Sequence, residues 1–216
     1  MSRFRVGGGT ALDYVSTNTI SAQPTVPNMT QRYRDLAFTP AVRQAQARNG
    51  TAEHFAGLAP APAEPDTLTE KEVSFITARD SFYMATVTET GWPYMQHRGG
   101  PKGFVKVLSA HRIAIADFRG NRQYMSVGNL AANNRTALFF MDYPNRRRLK
   151  VMAYASTLGR DEDAELIAQV QNDGYRAVVE RAMVFDVEAF DWNCPQHITP
   201  RFSEDEWAMV DGSSGR

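Results

Sequence analysis

The spacing of apolar residues changes character at residue 81. Ahead of it, Thr69-Glu70-Lys71-Glu72 is a capping-box sequence, and Val73, Phe75 and Ile76 give the following helix an apolar face up to Arg79. From Ser81 the rhythm is that of strands. Residues 82–88 are aromatic and β-branched, Glu89-Thr90-Gly91 supplies a hairpin turn, and residues 92–96 return alongside. Residues 104–108 and 112–118 predict two more strands around a turn at 109–111. Residues 123–133 predict a helix, and residues 136–143 and 149–157 a strand pair around Pro144-Asn145. An acidic start suits a helix at 161–171, a long β-type run fills 177–190, and a short helix follows at 203–210. Six or seven antiparallel strands with two or three helices around them predict a mainly β protein with peripheral helices (α+β). A small closed or half-closed barrel is the expected form, because closure removes exposed sheet edges.

The flanks have a different texture. Residues 1–28 are rich in Gly, Ser, Thr, Asn and Pro without periodicity and predict a flexible extension. Thr39-Pro40 opens a short helix to Arg48 that Gly50 closes, and residues 59–65, alternating Ala and Pro, form a stiff connector. Residues 29–210 are expected to form one domain, with residues 211–216 a frayed tail, since 216 residues at 43% apolar suit one ordinary core.

Charge sums to zero but is unevenly spread. Residues 98–150 hold 11 Lys/Arg against 2 Asp/Glu, whereas residues 151–216 hold 5 against 13. A basic middle and an acidic end favour mutual contact, within a chain or across a symmetric dimer. The single cysteine, Cys194, leaves no internal disulfide or zinc spacing, which fits a cytoplasmic setting, and no apolar run is long enough for a membrane helix.

Two polar turns carry the candidate chemistry. His97-Arg98-Gly99-Gly100-Pro101-Lys102-Gly103 brings backbone and cations to the end of a strand, and Arg119-Gly120-Asn121-Arg122-Gln123 precedes a helix start. Glycine-turn amides, helix N-termini and guanidinium groups are the common means of holding phosphate. Arg146-Arg147-Arg148-Leu149-Lys150 is a third basic run. A nucleic-acid platform would interleave stacking aromatics with such cations, and here the aromatics lie on the preceding strand, so no nucleic-acid partner is expected. Trp192-Asn193-Cys194-Pro195-Gln196-His197 follows the last strand, where loops tend to carry function. The four histidines are scattered without ligand spacing, so no metal site is expected.

The strand order from 81 to 157, with His97-Arg98-Gly99-Gly100, Gly120-Asn121-Arg122-Gln123, residues 126–130, residues 133–136 and Asn193-Cys194-Pro195-Gln196-His197, resembles the pyridoxamine 5′-phosphate oxidase-like flavin-nucleotide-binding proteins. The resemblance implies a split β-barrel of the FMN-binding type, forming a homodimer with two FMN molecules at the interface. Gln96, His97, Arg98, Gly99 and Gly100 would then border the flavin, with Arg98 reaching its phosphate. Ala116 and Asp117 would line the ribityl side, and Asn121, Arg122 and Gln123 fall where the oxidases place a Ser-Arg-Lys phosphate clamp. Gln123 stands in place of that lysine, so Lys102 or Arg98 is expected to supply the charge. Arg147, Arg148, Gln196 and His197 would come from the second subunit.

The resemblance also implies an oxidoreductase passing hydride through flavin N5, with His197 as the candidate catalytic residue for proton handling. The oxidases carry an Arg-x-His type motif near their end, whereas an acidic helix follows Pro200-Arg201-Phe202 here. Pyridoxamine phosphate is therefore not the expected substrate. The alternatives are a non-catalytic flavin carrier or sensor, and a deazaflavin- or haem-binding split barrel.

Overall fold

Alternation sets the strands, and their pairing sets the curl of the sheet. The computed structural model describes residues 28–56, 64–192 and 195–213. The extension expected at 1–28 lies outside these apart from Asn28, and the connector at 59–65 lies mostly outside them. The elements are β1 (Asn28–Met29), α1 (Gln31–Ala37), α2 (Pro40–Arg48), a 3-10 turn (Ala52–Phe55), α3 (Glu70–Thr77), β2 (Ser81–Val87), β3 (Pro93–Gly99), β4 (Lys106–Ser109), β5 (Arg112–Phe118), α4 (Met125–Ala132), β6 (Arg135–Asp142), β7 (Arg147–Gly159), α5 (Ala164–Val170), β8 (Val179–Trp192) and α6 (Glu204–Ser213).

All ladders are antiparallel, in the order β3-β2-β6-β7-β8-β5-β4, with the short β1 added to β8. The sheet curls on itself. Phe82 on β2 meets Phe140 on β6 at 4.9 Å between ring centroids and reaches Phe185 on β8 at 6.3 Å, although β6 and β7 separate β2 from β8 in strand order. These rings, with Met84, Ile113, Leu138 and Met183, fill the interior. Each such buried side chain contributes about 1.5–3 kcal/mol relative to exposure. Strands β3 and β5 face one another across the interior without a ladder between them, so the barrel is split, as expected. A second, smaller core packs Leu166, Ile167 and Val170 of α5 against Ala114 and Ala116 of β5 and Ala182 and Val184 of β8.

Several boundaries differ from the sequence reading for identifiable reasons. The strand expected at 104–108 starts at Lys106, because Phe104 N–H bonds to Pro101 O in a turn and its ring folds beneath Gly100. The helix expected from Gln123 starts at Met125, because Arg122 (φ 59°) and Tyr124 (φ 51°) take left-handed conformations. The acidic helix starts at Ala164, where the Asp163 carboxylate accepts from Leu166 N–H at 2.8 Å. The last helix runs on through Asp211 and Gly212 to Ser213.

One polar contact ties α3 to the barrel. Glu72 is buried, accepts from Trp192 Nε1 at 2.6 Å and from Thr69 N–H at 3.1 Å, and closes the expected capping box. Burial pushes its carboxyl up, but the hydrogen bonds from Thr69 and Trp192 outweigh burial and hold it below the usual range. A lowered carboxyl contributes stability above its unfolded pKa and loses that contribution as pH falls through its folded value. Glu72→Gln is accordingly expected to cost about 1–3 kcal/mol at neutral pH, with the difference from the parent protein shrinking in acid. Denaturant titrations at several pH values check this, and a pH-independent difference would contradict it.

Candidate functional site

The seam between β3 and β5 holds an open pocket of about 60 Å³. Period-two alternation on β3 presents Tyr94, Gln96 and Arg98 to it while Met95 and His97 point away. The end of β5 supplies Asp117, the following turn supplies Asn121, Arg122 and Gln123, the start of α4 supplies Ser126, and β8 supplies Glu180. Six residues expected from the sequence therefore meet in one place: Gln96, Arg98, Asp117, Asn121, Arg122 and Gln123.

The centre of the site is a carboxylate held between two guanidinium groups. Arg98 Nη1 donates to Asp117 Oδ1 at 2.7 Å, and Arg181 Nε lies 3.5 Å from Asp117 Oδ2. The Arg98 and Asp117 side chains are only 13% and 9% exposed, so water screens the pair weakly. Glu180 forms a second cluster beside it, accepting from Arg119 Nε at 2.9 Å, Arg181 Nη2 at 3.2 Å and Tyr124 OH at 3.3 Å. Its hydrogen bond from Arg119, and then those from Tyr124 and the Arg181 charge, hold its carboxyl below the ordinary range. Arg181 also lies over the Tyr124 ring at 4.9 Å.

What these contacts leave over is a set of donors. Arg98 Nε is buried without a partner. Gln96 Oε1 accepts from Ser126 Oγ at 2.7 Å, so the oxygen is occupied and its NH₂ group remains. Left-handed Tyr124 precedes α4 and no side chain caps that helix, so its first amides are open beside the pocket. Asn121 and Gln123 bond each other at 3.0 and 3.2 Å, bracketing Arg122, whose exposed guanidinium makes no bond among the described residues. Four guanidinium groups, Arg98, Arg119, Arg122 and Arg181, stand against two carboxylates, Asp117 and Glu180, and leave the cluster at +2. Unpartnered donors, a helix N-terminus and two net positive charges fit a phosphate monoester dianion.

The model of the pyridoxamine 5′-phosphate oxidase family matches residues 68–189, more than half of the chain. The chain belongs to this family. The matched span contains every residue of the seam pocket and ends before Gln196 and His197. Similar solved structures include an FMN-binding protein from Syntrophomonas wolfei (11% identity, 70% of this chain and 97% of that chain, TM-score 0.45). General stress protein 26 from Bacillus anthracis is 13% identical over 62% of this chain and 95% of that one, with a TM-score of 0.45. HupZ from Group A Streptococcus is 14% identical over 62% and 100%, again with a TM-score of 0.45. No curated protein matches the chain in sequence.

The other expected residues of this oxidase-family chain lie elsewhere on the subunit. His97 meets the Tyr83 ring edge-on at 5.6 Å on the outer face of β3. A Cβ on Gly100 would come within 2.7 Å of Phe104 Cβ, and one on Gly99 within 3.0 Å of His97 Cε1 and 3.3 Å of Asp80 O. The glycine pair is thus required by packing within the chain. Lys102 is exposed and does not line the pocket, so within one chain it does not replace the lysine absent at Gln123. Ala116 faces α5 in the second core. Arg147 lies over the Phe75 and Trp192 rings at 5.2 and 4.8 Å, and Arg148 Nε is buried without a partner. Gln196 and His197 are exposed after β8, with His197 at φ 62°, and neither lines the pocket of its own chain.

Glu180 and Arg181 carry no signal in the sequence beyond a long β-type run, whereas Arg119 belongs to the second polar turn and Ser126 to the motif at 126–130. Ser126 follows a recognised turn, but only the β5–β8 register, with Asp117 opposite Arg181, reveals the role of the β8 pair. Removing the central carboxylate leaves two guanidinium groups facing each other in a poorly hydrated seam. Asp117→Ala is therefore expected to lower unfolding free energy by about 3–5 kcal/mol. A loss below about 1 kcal/mol by denaturant titration would show the cluster to be peripheral.

Proposed function

We propose that the chain is an FMN-dependent oxidoreductase that works as a homodimer, with a flavin at each of two equivalent subunit junctions. The observation that carries the reading is the donor-rich seam pocket set in an arginine-carboxylate cluster of net charge +2, with Arg98 and Arg122 lining the pocket and Arg119 and Arg181 behind its carboxylates, which suits the dianionic phosphate of FMN. A deazaflavin joined through a phosphodiester brings one negative charge to the same place, so the charge balance favours FMN. No histidine lines the pocket among the described residues, which disfavours haem.

Arg122, Arg98, the Asn121 and Gln123 amides and the open end of α4 would hold the phosphate, and Gln96 offers its NH₂ group to the remainder of the ligand. Bound flavin supplies hydride transfer through its N5. The chain's part is to fix the ring, keep bulk water from one face, and place a proton donor. Arg148, Gln196 and His197 of a second subunit are the groups available for the open side. Arg147, stacked on two rings, serves α3 in the first instance. His197 is exposed and free of side-chain bonds among the described residues, so it is available as a proton donor or acceptor.

The oxidoreductase reading separates from that of a flavin carrier by turnover. A yellow protein reduced by NADH or NADPH and reoxidised by an added acceptor supports the first, and a yellow protein that never cycles supports the second. Arg122→Ala is expected to weaken FMN binding about tenfold to a hundredfold by flavin fluorescence titration, as for the loss of a hydrogen bond to a charged group. Unchanged affinity would remove Arg122 from the site. Light scattering is expected to give twice the 24.1 kDa subunit mass, and a monomer holding FMN would contradict the shared junction.

A further inference from the structure

The outer face of the barrel, opposite the packed interior, is apolar and is left uncovered by the described residues. Two adjoining cavities of about 390 and 380 Å³ share Ala85, Ala137 and Met152, and Tyr83, Met95 and Tyr154 frame them. Met95 is 67% exposed, and among the described residues none beyond Glu188 lines either cavity. Contiguous apolar surface of this kind marks a contact site. The rim keeps one unpaired cation among the described residues, Arg135 in one cavity; Lys150 in the other lies 3.6 Å from Asp191 Oδ2, and Glu188, the carboxylate in the lining, is bound to Arg32.

The complementary piece is at the other end of the same chain. Helix α6 starts with Glu204, Asp205 and Glu206 and is held by a reciprocal cap, with Ser203 N–H bonded to Glu206 Oε2 at 2.9 Å and Glu206 N–H to Ser203 Oγ at 3.3 Å. It leaves Trp207 57% and Met209 75% exposed, and the only ring contact of Trp207 among the described residues is to Phe202 just before the helix. Ten helical residues span about 15 Å, and a tryptophan left in water on a formed helix is the anchor type that dominates helix-in-groove contacts.

We infer that α6 of one subunit docks into the outer-face groove of a second copy, with its acidic first turn against Arg135. In its own subunit α6 leaves the groove empty, and reciprocal exchange in a two-fold dimer covers both grooves and both tryptophans with one repeated contact. The exchange would also carry the loop bearing Gln196 and His197 onto the partner. This inference rests on the homodimer reading above and deepens it by naming the contact.

The test uses full-length protein with Trp207 replaced by p-benzoylphenylalanine, in an equal mixture of ¹⁴N- and ¹⁵N-labelled subunits exchanged before illumination. Mixed-isotope cross-links from position 207 to residues 83–95 or 135–154 are expected. Trp207→Glu and, independently, Met95→Glu are each expected to raise the dimer dissociation constant about tenfold or more. Same-isotope cross-links alone mean that α6 folds back on its own groove, and cross-links to another surface mean a different contact. Either outcome overturns the inference, as does a dimer unaffected by both substitutions. Flavin content measured on the same samples keeps the two questions apart, since a flavin-loaded dimer lacking the cross-link defeats this inference and leaves the FMN reading standing.

Discussion

A carboxylate wedged between two arginines bridges the place where the sheet fails to close. β3 and β5 have no backbone ladder between them, and the Arg98–Asp117 ion pair links them directly, with Arg181 of β8 holding the other carboxylate oxygen of Asp117. A charged pair at 2.7 Å with about a tenth of each side chain exposed is stronger than a surface pair and costly to break from one side. The same contact that braces the seam also occupies one edge of Arg98, whereas the Arg122 guanidinium makes no bond among the described residues, so two arginines that the sequence suggests as equals stand in different surroundings.

Around that brace, each element of the site is placed by an ordinary local rule. Alternation on β3 aims Gln96 and Arg98 inward, left-handed Arg122 and Tyr124 hold α4 back until Met125, and the absent cap leaves the helix amides open. A capped helix beginning at Gln123 would have satisfied its own donors and offered a phosphate less. The departure from the regular pattern is what makes the turn useful, as at many sites where backbone strain and function coincide.

Much of this was legible in the residues. The strands stood out because aromatic and β-branched runs alternate, and the turn at 119–123 stood out because glycine and amides interrupt them. Residues in one strand or turn could be grouped from spacing alone. Glu180 and Arg181 could not, because they belong to β8 and meet Asp117 only through a register set about sixty residues along the chain. Gly99 and Gly100 show that one feature can carry two readings. A glycine pair beside an arginine reads as room for a ligand, and the fold also uses it to admit Phe104, His97 and the Asp80 carbonyl. Exposure of α6 and of the outer face was likewise beyond reach, since periodicity does not tell which apolar side chains, Trp207 and Met95 among them, stay uncovered once the strands are paired.

The central claim is electrostatic: the arginine-carboxylate cluster around the seam pocket is left at +2, with Arg122 its unpaired guanidinium among the described residues, and a phosphate monoester would balance it. The most direct measurement compares FMN with riboflavin, which shares the ring and ribityl chain and lacks the phosphate, by titration calorimetry at low and high salt. The account predicts that FMN binds about a hundredfold more tightly or better at low salt, with the gap narrowing as salt rises. Equal affinity for the two ligands at every salt concentration would contradict it.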